Sequence, residues 1–375
     1  MNTTQTNSCE FDCLILGAGV GGALLALLLG RQGRRVLVIS NKPKSATRGA
    51  EILKPRGIRI LAEHGLLSEL VSRGAMEREV IDFHHDGSLL LSYDFAQHTM
   101  LGHFLIVPYA ATVGTILDAC AELPNVDIRF NRRMVEAHTA NSRVIGGTLD
   151  DGTVLRARAL VDSSGSASPL RDYVGSEREV SKHDHILRMT TIPVTASVLS
   201  RNRMYFSSTG WFAYFYPVST KLARVFIGLP QEQDSQVFDQ RSADLSARLG
   251  EFVSRSGDAL ALVDASRFVR APVSAYSSKP YHRDNVVLLG STAFSPHPMT
   301  GQGMSYIMED ATILASILVA AQDDRDLRLL LHQRYEERRT MHTELVAYGD
   351  ALARSYPDRD AYLKAHRAGL HGGDR

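Results

Sequence analysis

Cysteine is scarce in this chain of 375 residues: three, at Cys9, Cys13 and Cys120, in no metal-ligand spacing. That excludes a disulfide framework and suits a reducing cytoplasm, where a buried thiol behaves as a small hydrophobe. Neither sign of charge is in surplus, with 42 Lys and Arg against 41 Asp and Glu. The basic residues are scattered, so nothing draws the chain globally to nucleic acid. A spanning helix needs about 20 apolar residues. The N-terminal candidate, Leu14 to Leu29, is shorter and holds Gly17, Gly19, Gly21 and Gly22. Its flank carries Glu10 and Asp12 where a signal peptide has positive charge. The expectation is a cytoplasmic protein with no membrane span. A hydrophobic share of 44% gives it enough material for a full core, in one compound domain or two interleaved ones.

What the N-terminal stretch does have is a buried strand (Phe11 to Leu16), the turn "GAGVGG", an apolar helix to Gln32, and a second strand, "RRVLVIS". Gly17, Gly19 and Gly22 stand in G-x-G-x-x-G spacing with strand and helix on the correct sides, the pattern of a dinucleotide pyrophosphate site. The first glycine permits the turn, the second admits the phosphate and the third packs helix on sheet. The middle of the chain reads as a helix over 55–71, a hairpin at "HHDGS", a helix over 112–121 and short strands to Val161. From about Arg188 to Gly228 the sequence is β-rich and aromatic, with "RMYFSSTGWFAYFYPV" at its centre. Two readings stay open there: sheet core, or an aromatic substrate wall that includes Tyr205, Tyr214 and Tyr216. Near the end, "LLGSTAFSPHPMTGQGMSYIMEDA" runs from a buried strand through Gly290 and a proline-punctuated turn into a helix reaching about Val319. Such a loop lays backbone N–H groups against an anionic or carbonyl-rich ligand.

Together with "VDSSGSASPLR" (Val161 to Arg171), these motifs resemble, in order and over nearly the whole chain, the class A flavoprotein monooxygenases, the p-hydroxybenzoate hydroxylase-like family. The stretches "GGALLALLLGRQGRRV", "GAEILKPRGIRILAEHGLL", "AYFYPV" and "HPMTGQGM" are most similar to its alkylquinolone-pathway branch, which oxidises an aromatic amine to a hydroxylamine. The resemblance implies an α/β fold. A Rossmann-like three-layer FAD/NAD(P)-binding domain (1–75, 109–180, 276–320) would be interleaved with a β-sheet substrate domain (76–108, 181–275), and C-terminal helices (321–375) would follow. It implies FAD on Gly17, Gly19 and Gly22, with Arg48 to Lys54 near the flavin ring and Pro298 over it. Gly301, Gln302, Gly303 and Met304 would face its pyrimidine end. A small aromatic substrate is implied, with NAD(P)H or a separate flavin reductase as the source of electrons and no metal.

The departures from that family fall on acidic contacts. Ser40 stands where a glutamate usually grips the adenosine ribose. Ser164 precedes Gly165, and Ser291 follows Gly290, where aspartates are usual; Phe294 replaces a common histidine, and Ala110 a common arginine. Three charged hydrogen bonds downgraded to neutral ones cost about 2–6 kcal/mol, or roughly 30-fold to 10⁴-fold in affinity. Three readings follow: a monooxygenase of secondary metabolism with weakened FAD binding, a flavin-free fold catalysing a cyclisation or dehydration or only binding ligand, and an NADP site built on "SNKPK". The first is the expectation. Among histidines, His183 and His185 read as loop surface with no third ligand in view. His297 reads equally as a residue acting at the flavin edge and as a cap of its own loop. The run Gln333 to Thr340 reads as a solvated helix face.

Overall fold

A computed structural model describes residues 10–44, 49–140, 143–238, 243–253, 257–271 and 273–370. Strand Phe11–Leu16 lies between two parallel neighbours, Val36–Ser40 and Val154–Asp162. The sheet order is 282–283, 286–288, 154–162, 11–16, 36–40, 126–130, with 143–149 and 134–140 branching from 154–162. Strand Val36–Ser40 is buried at every position, the pattern of an interior parallel strand. Helix Val20–Arg31 is apolar all round and buried except at Arg31, because it packs between helices Tyr109–Ala121 and Gly303–Ala320. Its start sits tightly on the glycine turn: a Cβ at Gly22 would lie 2.0 Å from the Gly17 carbonyl oxygen.

The second sheet has seven strands in the order 269–271, 185–193, 222–230, 212–217, 202–206, 80–85, 88–94. It therefore joins an early stretch of chain to a late one. The hairpin between Val80–His85 and Ser88–Asp94 turns on Asp86 (φ 44°) and Gly87 (φ 77°), the left-handed pair that a two-residue loop requires. Alternation splits this sheet between two cores. Met204, Phe206, Phe212, Tyr214 and Tyr216 face one cluster, and Tyr205, Ala213 and Phe215 face the other.

Two expectations are corrected. The helix over 55–71 is two helices, Pro55–Glu63 and Leu67–Ser72, interrupted at His64 to Leu66. The run Gln333 to Thr340 is not a solvated face, since Tyr335 and Arg338 are buried within it. Among the described residues one helix, Gly303–Ala320, is long and apolar enough to cross a membrane. It packs here against Val20–Arg31 and Pro55–Glu63, and carries Glu309 and Asp310 in ion pairs.

Candidate active site

The chain leaves strand Val286–Leu288, passes Gly290–Thr292 and Pro298–Thr300 as single tight turns, and enters helix Gly303–Ala320. Two anchors fix this path. The first is the neighbouring turn after strand Val154–Asp162. Asp162, with no exposed surface, accepts from the Ser164 N–H (3.0 Å), the Ser164 hydroxyl (2.5 Å), the Ser168 hydroxyl (2.5 Å) and the Leu170 N–H (3.2 Å). The turn so held donates the Gly165 N–H to the Thr292 hydroxyl at 3.1 Å, while Arg171 donates to the Thr292 carbonyl at 3.0 Å. The second anchor is a buried network behind the long helix. Phe294 stacks on His342 with centroids 3.7 Å apart. His342 meets the Tyr281 hydroxyl at 2.8 Å and Asp310 at 3.1 Å, and Arg338 donates to Asp310 at 2.8 Å and pairs with Glu309. The ring that replaces the expected histidine is thus packed on another histidine.

Between the two sheets' ends lies a cavity of about 630 Å³. One part of its lining is the turn itself: Ser291, Pro298 and Gly301 to Met304. Helix Gly303–Ala320 begins with no acidic residue in its first turn and no side-chain cap, and the same holds at Gly19 for helix Val20–Arg31. Both therefore present unsatisfied N–H groups and the positive end of a helix dipole. Another part is aromatic, with Phe212, Tyr214, Tyr216 and Phe226 on one wall. Tyr214 and Tyr216 have centroids 4.7 Å apart. Burial pushes both phenols well above their usual range, so they are neutral, and Asn202 donates to the Tyr214 oxygen at 3.0 Å.

A third part is basic. Lys54 holds its ammonium 4.7 Å from the Phe95 ring centroid, His98 stacks on Tyr93 at 4.6 Å, and His366 meets Phe83 edge-on at 5.3 Å. Burial, then the charges of Lys54 and His98, push His366 down to about 4. The acidic residue in the lining, Glu51, acts on Tyr216 and is not among the groups that move His366.

The residues expected from sequence are distributed as follows. Gly17, Gly19 and Gly22 form the turn at the start of the first helix, and a Cβ at Gly19 would stand 3.3 Å from the Tyr109 hydroxyl. Ser40 spends its hydroxyl locally, donating to the Lys42 carbonyl at 3.1 Å and accepting the Lys42 N–H. Ser164 spends its own on Asp162. Of the three serines, only Ser291 lines the cavity. Gly290 turns the chain with φ 66°. Arg48 lies outside the described residues. Tyr205 is not part of the aromatic wall: strand alternation puts its ring on the other face of the sheet, against Phe215 and His84.

His297 is buried and both ring nitrogens face protein. Nδ1 accepts the Met299 N–H at 3.2 Å, and Nε2 lies 3.0 Å from Nε2 of His185. It caps its own turn, so its nitrogens are unavailable as the acid or base expected at the flavin edge. Burial pushes His297 down to about 2 and His185 to about 4. His183 and His185 are likewise not loop surface: the chain bends at Asp184, and both side chains are buried with their rings against each other and His297. Sequence reasoning missed Asp162, whose signal was an aspartate closing an apolar strand ahead of a Ser-Gly turn. It also missed Tyr362 and His366, spaced i,i+4 on the last helix.

The sequence profile of a family described as "FAD binding domain" matches residues 10–348. Among solved structures, PqsL of Pseudomonas aeruginosa in complex with 2-aminobenzoylacetate is 33% identical, with a TM-score of 0.89 over 95% of this chain and 99% of that one. Para-nitrophenol 4-monooxygenase of Pseudomonas sp. strain WBC-3 is 28% identical over 82% of this chain and 77% of its own length. Kynurenine 3-monooxygenase of Anopheles gambiae is 26% identical, with 89% and 73% covered.

Proposed function

The chain belongs to the class A FAD-dependent monooxygenase family, and from that premise we propose that it hydroxylates a small aromatic amine bearing a carboxylate, in secondary metabolism. In this reading FAD is held weakly, and reducing equivalents come from NAD(P)H through a separate flavin reductase. The observation that carries it is the cavity, which sets an uncapped helix start, an aromatic wall and three basic side chains around one space. PqsL, with its aminobenzoyl carboxylate, supports the substrate class by similarity.

The residues present fit the cofactor. The uncapped starts of two long helices suit a ligand with an anionic pyrophosphate and a carbonyl-rich ring. Gly17, Gly19 and Gly22 would hold the pyrophosphate. Pro298 and Gly301 to Met304 would hold the ring, and their N–H groups favour negative charge at its pyrimidine end. When bound, FAD supplies the activation of dioxygen and the transfer of one oxygen atom. The chain's own work is placement and exclusion of water. Phe212, Tyr214 and Tyr216 give an aromatic substrate a flat, dry wall, and Lys54, His98 and His366 give its acid group a partner.

The positions of the serines support weak binding. Ser40 and Ser164 have committed their hydroxyls to Lys42 and Asp162, so neither replaces a lost carboxylate. The protein is expected to purify largely colourless and to bind FAD in the micromolar range, read by flavin fluorescence. Ser291→Asp should tighten FAD by roughly tenfold, the increment for one charged hydrogen bond. Ser164→Asp should do the reverse, because its carboxylate would meet that of Asp162, now 2.5 Å from the serine oxygen. Nanomolar retention of FAD by the unaltered protein would end the weak-binding reading, as would tightening by both variants. The activity itself is tested with reduced FAD, oxygen and aminobenzoyl acids, looking by mass spectrometry for a gain of one oxygen atom. Conversion at unchanged oxidation state with flavin removed would overturn it.

The basic end of the cavity gives a pH signature. Free His366 is neutral above about 4 because burial and its cationic neighbours oppose the proton. A bound carboxylate offsets those neighbours and raises its pKa, so binding takes up a proton between the free and bound values. Affinity for an aminobenzoate probe should therefore rise as pH falls from 7 to 5, by at most about tenfold per unit. His366→Asn should flatten that profile. A profile that weakens toward acid, or one unchanged in the variant, would remove His366 from the acid-binding end.

A further inference from the structure

We propose that His183, His185, His297 and Asp350 form a binding site for one divalent transition cation of the zinc type, beside the cavity and at the base of the turn Pro298–Thr300. Three different stretches of chain supply it. His183 and His185 come from the entry to strand His185–Pro193, His297 from the turn, and Asp350 from helix Glu337–Ser355. Close approach of that helix is possible because it crosses the turn at Gly349, where a Cβ would lie 2.9 Å from the His297 Cβ.

Two pairs of ligand atoms already stand near the separation a small cation needs, and the pairs must draw together to share one ion. His185 Nε2 and His297 Nε2 are 3.0 Å apart, and His183 Nε2 is 3.2 Å from Asp350 Oδ1. One nitrogen from each histidine lies within 4.8 Å of the others. A tetrahedral zinc ion with bonds of about 2.0–2.1 Å sets its ligand atoms roughly 3.3–3.4 Å apart. Three histidines and a carboxylate are a donor set that zinc accepts, and the ion's preference for nitrogen excludes magnesium and calcium.

The second observation is what these groups lack. Both nitrogens of His183, whose side chain is 1% exposed, and Oδ1 of Asp350 are buried without a hydrogen-bond partner. His183 Nε2 and Asp350 Oδ1 approach each other, but out of hydrogen-bond alignment. Polar atoms left unmet in a dry interior are destabilising. Asp350 Oδ2 is already held by the Ser181 hydroxyl, which leaves Oδ1 directed at His183. A cation between Nε2 and Oδ1 satisfies both at once. Its entry has one local consequence. His297 carries its proton on Nε2 while Nδ1 accepts from Met299, so coordination through Nε2 shifts that proton to Nδ1 and turns the Met299 N–H away.

The test uses the full chain, stripped with a chelator and then titrated with zinc chloride, with bound metal measured after gel filtration. One equivalent per chain is expected, together with a rise in unfolding temperature. Cobalt(II) in its place should give the intense visible bands of a tetrahedral site. His183→Gln and Asp350→Asn should each weaken zinc by at least about tenfold, while circular dichroism verifies that both are folded. If either fails to fold, the cobalt spectrum and zinc stoichiometry of the unaltered chain decide alone. Substoichiometric zinc at micromolar concentration, octahedral cobalt bands, or binding that persists in folded variants would overturn the site.

Discussion

Asp162→Ala is expected to lose FAD binding altogether and to cost about 2–6 kcal/mol of stability, at about 1–3 for each of the two backbone N–H groups left without an acceptor. Two backbone N–H groups and two hydroxyls converge on this carboxylate. Without it the Ser164 and Leu170 N–H groups have no partner inside the protein, and water cannot reach them without opening the turn. The damage should spread, because Gly165 of the same turn is bonded to Thr292 in the second motif. Asp162→Asn keeps one acceptor and should fall between the two. Urea unfolding and a flavin titration would measure both effects. A loss under about 1 kcal/mol with unchanged FAD affinity would show that the turn is held by something else.

The second large effect is expected at Arg338. It lies buried against Asp310 and Glu309 of the long helix, and Glu309 is shared with Arg56 at 2.6 Å. Burial alone would favour loss of its proton, and the two carboxylates more than reverse that. Arg338→Met leaves Asp310 buried with only His342 beside it, for a cost of about 3–5 kcal/mol. Adding Asp310→Leu should recover part of the loss, since a buried pair is cheaper to remove whole than by halves. A double variant less stable than Arg338→Met would show that the pair's other contacts, through His342 and Tyr281, dominate.

The α/β fold was legible because its signals are local. A glycine turn between strand and helix is written within a few residues, and so is the strand, turn and helix around Gly290 and Gly301. The positions that misled are those where a side chain's direction depends on distant partners. Tyr205 and Tyr214 lie in one aromatic stretch, and only the pairing of their strands decides which ring reaches the cavity. His297 could be placed near the motif, but not oriented, because its nearest nitrogen partner is His185. Arg338 looked like surface charge since its carboxylates sit on another helix. Ser40 and Ser164 could be recognised as lost carboxylates, whereas the use of their hydroxyls by their own turns is a matter of geometry.

The cavity's walls are drawn from both ends of the sequence, with Glu51 and Lys54 near the start and Tyr362 and His366 on the last described helix. For a chain made from its N-terminus this fixes an order of events on the ribosome. Strand Phe11–Leu16 emerges long before its parallel partner Val154–Asp162, which must wait in turn for Val286–Leu288, so the nascent sheet stands with open edges. The aromatic pocket closes only when helix Arg359–Leu370 has left the exit tunnel. A ribosome-bound chain halted before residue 359 should therefore expose its aromatic wall to chaperones and hold neither flavin nor substrate, and its release should register as a single late step.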